Sequence, residues 1–367
     1  MSSNTKAGLS ITMLYTLAMA ALPACGQKAQ ALPGAGALQA PTEVVPSRNG
    51  AWLGHAFVTT KSVVATVPAM CAFMRDHKVN YLFVNLGLHD GDGSFSHGTA
   101  AVPQVKEFLS AINDWEKSAN HRFCLLGWLN GSTDEASTRY LDLSSKSVRA
   151  AMLKESKRFS DPEVEGSYVA GVGRMFDGIQ YDLEPSGANQ KQFTNIITFM
   201  RELRSTLSTG KMTSFTPHKW GESGRYKWGV ELFYRMSSET DLLCVMTYNS
   251  SSTDEAAYKD WIKEQTVTVL KAVSGRLWKN DKKHPQPARP AKVLLGVPGY
   301  PANQWHDPAV ETMGAAVAGV RAGIRELQAA QDLSLTYLEG VAIYLYTDGS
   351  GKDGYSSRSN WATFSEE

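Results

Sequence analysis

Phe176-Asp177-Gly178-Ile179-Gln180-Tyr181-Asp182-Leu183-Glu184-Pro185 sets the polar residues Gln180, Asp182 and Glu184 two positions apart. Side chains alternate along a strand, so these three share one face while Ile179, Tyr181 and Leu183 share the other. Polar groups facing a barrel axis are costly unless that end of the axis is a site. The apolar face then belongs against a layer of helices.

Seven further apolar runs surround this one: Trp52–Val58, Tyr81–Leu88, Phe123–Leu129, Met212–Thr216, Leu242–Tyr248, Lys292–Val297 and Val341–Tyr346. Between them lie helical patterns such as Pro103–Lys117, Gln190–Leu207, Glu255–Val273 and Val310–Ala330. Strands alternating with helices imply parallel pairing, and eight such units over about 315 residues predict a single-domain (β/α)8 TIM barrel of class α/β. The rival is an open doubly wound sheet holding a nucleotide. Against it, no GxGxxG follows the first run and no GxxxxGK[ST] occurs.

Composition agrees. With 37 basic and 36 acidic residues among 367, a net charge of +1, 43% hydrophobic and 20% charged residues, the chain is neither disordered, collagenous nor coiled coil. Near-neutral charge removes the usual electrostatic argument for nucleic acid or anionic lipid as main partner. A monomer is expected.

The N-terminus reads as an address. Residues 1–25 hold one cation, Lys6, then an apolar run from about Leu9 to Leu22, too short to span a membrane. Leu22-Pro23-Ala24-Cys25-Gly26 resembles the bacterial lipobox, in which the cysteine becomes the acylated first residue. The resemblance implies an exported lipoprotein, tethered to a membrane through Cys25 alone. Residues 26–50 have no hydrophobic period and read as a flexible tether, leaving 51–367 for the barrel. Cys71, Cys124 and Cys244 are expected as three buried free thiols, since an odd count cannot pair up.

In a TIM barrel, sites lie where strands end at their C-terminal side. Those ends bring His55, Asn85, His89, Trp128, Asn130, Asp182, Glu184, Thr216, His218, Tyr248, Asn249, Tyr300, Tyr346 and Asp348 toward one mouth. Aromatic faces among amides and carboxyls suit a sugar. Asp182 and Glu184 also repel when both are ionised, which raises one carboxyl's proton affinity as a general acid requires. The same acids could serve a metal or salt bridge, but no second acidic cluster, His pair or CxxC accompanies them. No metal and no cofactor are expected.

The strand-four DGxxxDxE resembles the DGxDxDxE motif of family 18 glycoside hydrolases, the chitinases and endo-β-N-acetylglucosaminidases. Met246-Thr247-Tyr248-Asn249 is similar to the family's Met-x-Tyr-Asp/Asn, and Gly296-Val297-Pro298-Gly299-Tyr300 to its Gly-[IVL]-Pro-x-Tyr. Gly340–Tyr344 stands where the last strand ends in Gly-x-x-x-Trp. The resemblance implies that Glu184 is general acid then base, and that Asp182 orients the substrate's acetamide. It also implies that Tyr248 holds the acetamide oxygen beside Asn249. The nucleophile would be the substrate's own acetamido carbonyl, the exception to the two-carboxylate pattern. The implied partner is a glycan containing N-acetylglucosamine.

Several positions depart from the family. Gln180 replaces its middle Asp, Trp128-Leu129-Asn130-Gly131 lacks its Ser-x-Gly-Gly, and Tyr344 replaces its floor Trp. Gln180 and Tyr344 are expected at the substrate subsite. The short connection after the seventh strand predicts no chitinase insertion domain. In that connection Asp307, Pro308 and Glu311 read as a helix start. Trp305 is expected to stack on ligand and His306 to hydrogen-bond it; Trp128 and Tyr300 are further candidate contacts. His89-Asp90-Gly91-Asp92-Gly93 reads as a turn rather than a cation loop, and His218 is balanced between site and surface. Three readings compete: an exported glycosidase, a non-catalytic chitinase-like glycan-binding barrel, and a metal-dependent barrel.

Overall fold

The computed structural model describes residues 48–97, 100, 102–185, 190–222, 226–278 and 281–346. The expected leader, Cys25, the tether up to residue 47, and Asp348 lie outside them. Eight parallel strands, hydrogen-bonded in chain order, close into a barrel. They are β1 (Asn49–Leu53), β2 (Val79–Leu88), β3 (Cys124–Ser132), β4 (Gly178–Glu184), β5 (Met212–Phe215), β6 (Leu242–Val245), β7 (Lys292–Pro298) and β8 (Leu338–Tyr346). The helices are α1 (Lys61–Val64), α2 (Val67–Asp76), α3 (Val102–Ala119), α4 (Lys146–Ser160), α5 (Gln190–Thr206), α6 (Val230–Ser237), α7 (Glu255–Val273) and α8 (Met313–Ala329). The fold is the expected single-domain TIM barrel, and fourteen residues, 299–312, join β7 to α8 without an insertion domain.

Boundaries moved where local hydrogen bonds overrode hydropathy. Asn49 and Gly50, expected in the tether, begin β1, and the strand stops at Leu53. Phe57 and Val58 are buried from a 3-10 turn, His55–Val58, not from a strand. β6 ends at Val245, Met246 keeps a single bridge to His218, and the chain turns farther on, where Asn249 and Ser251 adopt left-handed backbone, φ 55° and 63°. Helix α8 starts three residues later than expected. Its cap is Thr312, whose hydroxyl accepts from Ala315 N–H at 3.0 Å, not Asp307.

Strand alternation sorts the core into two shells. Trp52, Phe83, Leu126, Leu242, Cys244, Leu294 and Ala342 fill the barrel interior. Ile179, Tyr181 and Leu183 join the larger cluster between strands and helices, each large side chain contributing about 1.5–3 kcal/mol of burial. Gly178 is required by close approach: a Cβ there would meet Met212 O at 2.2 Å.

At the foot of β4, Arg174 is 3% exposed. Its guanidinium pairs with Glu116 at 2.9 Å and with Asp177 at 2.8 Å, and donates to Phe123 O. Asp177 also accepts from Arg122 and from Leu125 N–H. A buried cation shared by two carboxylates is far costlier to break than to keep. Cys71 and Cys244 are buried free thiols. Cys124 is disulfide-bonded, which corrects the expectation of three free thiols.

Candidate active site

The C-terminal ends of β2, β3 and β4 open on a cavity of about 410 Å³ lined by Asn85, Leu88, Trp128, Asn130, Gly131, Ser132, Asp134, Asp182, Glu184, Tyr226 and Tyr344. The β3–β4 register sets Asn130 beside Asp182 and Ser132 beside Glu184. Asn130 Nδ2 donates to Asn85 Oδ1 at 3.2 Å, fixing both amides at the mouth. These polar edges, one aromatic floor and two carboxyls suit a polyhydroxylated ligand.

The carboxyls differ in setting. Asp182 Oδ1 is buried without a hydrogen-bond partner. Burial, and then the neighbouring Glu184 carboxyl, push the Asp182 proton affinity well above the usual carboxylate range. Glu184 is open to solvent along the mouth, yet the concave wall around it still displaces enough water to raise its pKa, against the opposing pull of the Lys219 ammonium. Lys219 itself is pushed down by burial; its Nζ approaches Tyr248 O at 3.4 Å. Two acids with raised proton affinity in one cleft can deliver a proton near neutral pH.

Tyr344 is the centre of an aromatic wall. Its ring lies 5.4 Å from Tyr248, 5.5 Å from Tyr300, 5.8 Å from Trp52 and 6.2 Å from Trp128. Burial, with Asp182 and Glu184 adding to it, pushes its hydroxyl up to about 12. Tyr248 is raised well above its ordinary value, first by burial and then by the Tyr344 and Tyr300 hydroxyls and the two carboxyls. Both phenols therefore keep their protons for donation.

The structure brings Asp182, Glu184, Trp128 and Tyr344 to the cavity, and Tyr248 behind its floor. Five other expected contacts stand outside the residues that line it. Gln180 is fully buried; Trp52 Nε1–H donates to its Oε1 at 2.8 Å, and its Nε2 donates to Ser214 Oγ at 3.0 Å. Asn249 Oδ1 accepts from the Tyr300 hydroxyl at 2.7 Å. His306 is 4% exposed, with its ring nitrogens facing Glu311 Oε2 and Tyr300 O, each at 3.1 Å. Trp305 is 62% exposed on the turn between Asn303 and His306 and does not line the cavity.

Glu311 is the residue that capping logic misread. It is 3% exposed and accepts from Asn249 N–H at 2.8 Å, from Ser250 N–H, from the Ser250 hydroxyl at 2.7 Å, and from His306. Despite burial, these donors hold its carboxyl below the usual range. It pins the left-handed corner that follows Tyr248. Nothing in the local sequence ties Glu311 to a loop 62 residues away. Tyr226, with φ 58°, and Asp134 were also missed as lining; glycines on either side of Tyr226 were the available signal. His218 is buried and pushed down to about 3 by burial and Lys219, so it is neutral and not a surface residue. His89 is wholly buried, bonded to Gly93 O and the Tyr181 hydroxyl, and its Asp/Gly segment forms a turn as expected. Among the described residues, no group of three His, Cys, Asp or Glu is placed to hold a metal ion.

No family model matches the sequence, and no curated protein matches it. Solved structures do. The barrel is similar to the C-terminal domain of a putative chitinase from Desulfitobacterium hafniense, at 16% identity over 88% of this chain and 99% of that one, TM-score 0.55. A group IV chitinase from Ostrinia furnacalis matches at 13% identity over 87% and 98%, TM-score 0.53. An endo-1,4-β-mannanase from Rhizomucor miehei matches at 10% identity over 87% and 92%, TM-score 0.54. At such identities the likeness shows the fold: a barrel of the shape that chitinases and other glycoside hydrolases share. The function has to come from the site.

Proposed function

We propose that the protein is a glycosidase that hydrolyses a glycan containing N-acetylglucosamine with retention, the substrate's 2-acetamido group acting as nucleophile. The carrying observation is the Asp182–Glu184 pair, two raised carboxyls at the end of β4 in an open cavity. Glu184 protonates the glycosidic oxygen as the acetamido carbonyl attacks the anomeric carbon; the leaving sugar departs with the proton and an oxazolinium forms. Water, deprotonated by Glu184, then opens that ring. Asp182 accepts the acetamide N–H and stabilises its developing positive charge. Tyr248, still protonated, donates to the acetamide oxygen. Asn85 and Asn130 bind sugar hydroxyls, and Tyr344 and Tyr226 cover apolar ring faces.

The competing reading is a glycan-binding barrel without turnover. The locked Gln180 favours it, because no acid lies below Asp182 to take its proton. Export from the residue 1–25 leader, with Cys25 acylated, remains a proposal of the sequence.

The test is incubation with N-acetylglucosamine oligomers, peptidoglycan and a high-mannose N-glycan, read by mass spectrometry beside Glu184→Gln. The hydrolase reading expects cleavage that falls about a hundredfold or more in the variant. Equal activity on plain β-glucans would sink the acetamide mechanism. Binding that survives the substitution without any cleavage would establish the second reading.

A further inference from the structure

Asp182 is a buried carboxyl with an orphaned oxygen, and Gln180, two residues before it on the same strand face, is engaged elsewhere. Gln180 spends its carbonyl on Trp52 and its amide on Ser214, whose hydroxyl in turn lies 3.7 Å from the Cys244 thiol. Asn130, the cross-strand neighbour of Asp182, spends its amide on Asn85 Oδ1 and Gly87 O. One further side chain reaches the same spot from β3. Trp128 pairs in register with Gln180, two positions before the Asn130–Asp182 pair. Its side chain is therefore the diagonal inward neighbour of Asp182, within reach of an aromatic ring.

Trp128 is 4% exposed, lines the cavity with Asp182, and its Nε1 is buried with no hydrogen-bond partner. An indole nitrogen is donor only, and a carboxylate oxygen is an acceptor. Two adjacent buried atoms thus fall short of a full hydrogen bond in complementary senses, although the indole already pulls the Asp182 proton affinity down, a costly arrangement unless they close at some stage. We propose that the Trp128 indole N–H is the positioning donor for the ionised Asp182 carboxylate, closing on Oδ1 and leaving the second oxygen for the ligand.

This deepens the hydrolase reading and its catalytic consequence rests on it; the pairing itself does not. It joins two departures into one arrangement. Trp52 occupies Gln180, and Trp128 supplies from the side what position 180 cannot supply from below. The other groups that act on Asp182 are Glu184 on β4, Tyr248 after β6 and Tyr344 on β8, with Lys219 after β5 acting on Glu184. Any titration seen at Trp128 must be separated from theirs.

The test uses the whole protein with isotope-labelled tryptophan. Indole proton–nitrogen resonances are followed from about pH 4 to about pH 9, a span that covers a raised carboxyl, and Trp128→Phe assigns the signal. The expected result is a Trp128 resonance that moves as Asp182 ionises, stops moving in Asp182→Asn, and keeps moving with an altered midpoint in Glu184→Gln. A resonance indifferent to pH, or one that moves unchanged in Asp182→Asn, overturns the proposal. Where cleavage is measured, Trp128→Phe should lower kcat by about tenfold or more, the loss of one hydrogen bond to a charged group. KM should stay within about twofold. Wild-type turnover in that variant also overturns it. A protein that cleaves nothing sinks the hydrolase reading alone, and the resonance still decides the pairing.

Discussion

Trp52 and Gln180 meet across the inside of the barrel, the indole N–H donating to the amide oxygen at 2.8 Å while the amide nitrogen donates to Ser214. One glutamine thereby satisfies an acceptor and a donor in a fully buried place, which an acid cannot do without holding a proton there. Gln180→Asp places a carboxyl there but shortens the side chain away from Trp52. It should cost about 1–3 kcal/mol, seen as a lower denaturant midpoint. Turnover should not rise. A variant as stable as the parent and more active would overturn this account.

Asp182 has the opposite stability sign. Its folded-state pKa is raised, so its contribution is full below the unfolded value, about 3.9, and is lost as pH climbs through the folded value. Asp182→Asn should therefore melt with the parent near pH 4 and progressively above it toward neutrality, gaining roughly 2–4 °C for each kcal/mol relieved. Activity should vanish in the same variant. Calorimetry at two pH values decides it; a gap that is constant with pH would refute the linkage.

Lys219 opposes the burial that raises Glu184. In Lys219→Met the acid keeps its proton to higher pH, so the alkaline limb of the kcat profile should move upward. High salt should move the parent's limb in the same direction, by less, because the pair is partly buried. A limb that moves down, or stays, assigns Lys219 no electrostatic role.

Thiol counting tests the oxidation state. With Cys71 and Cys244 free and Cys124 bonded, two thiols should titrate in denaturant before reduction and more after it. Three thiols on both occasions would refute the disulfide at Cys124 and fit acylation of Cys25 through its sulfur. The count therefore also decides the lipoprotein proposal, and a retained disulfide fits an oxidising compartment.

The barrel was legible because its evidence repeats: eight runs with period-two or continuous apolarity, separated by helical periods, identify the fold even when single boundaries drift. Drift occurred where a backbone group decided, as at Gly54, whose carbonyl accepts from Phe57 N–H at 3.2 Å and opens the 3-10 turn after β1. In the site, Asp182 and Glu184 could be read because alternation places them with no knowledge of other strands. Gln180 obeyed the same alternation but lies one layer deeper, and depth along the axis is not encoded in a period of two. His306 and Glu311 were read as a ligand contact and a helix start because their partners, Tyr300, Asn249 and Ser250, come from neighbouring loops that only closure of the barrel brings together.

Asp177 and Glu184 belong to one motif yet stand seven residues apart, about 23 Å of extended chain. The first is tied into the Arg174–Glu116 knot beneath the barrel, the last stands in the cleft. A saturation scan across this strand should consequently sort into two phenotypes. Substitutions at its start should deplete folded material in the cell, while those at its end should leave abundance intact and abolish turnover. A similarity score that treats the motif as one unit adds the imprint of a scaffold to that of a reaction, and a barrel could keep the first long after shedding the second.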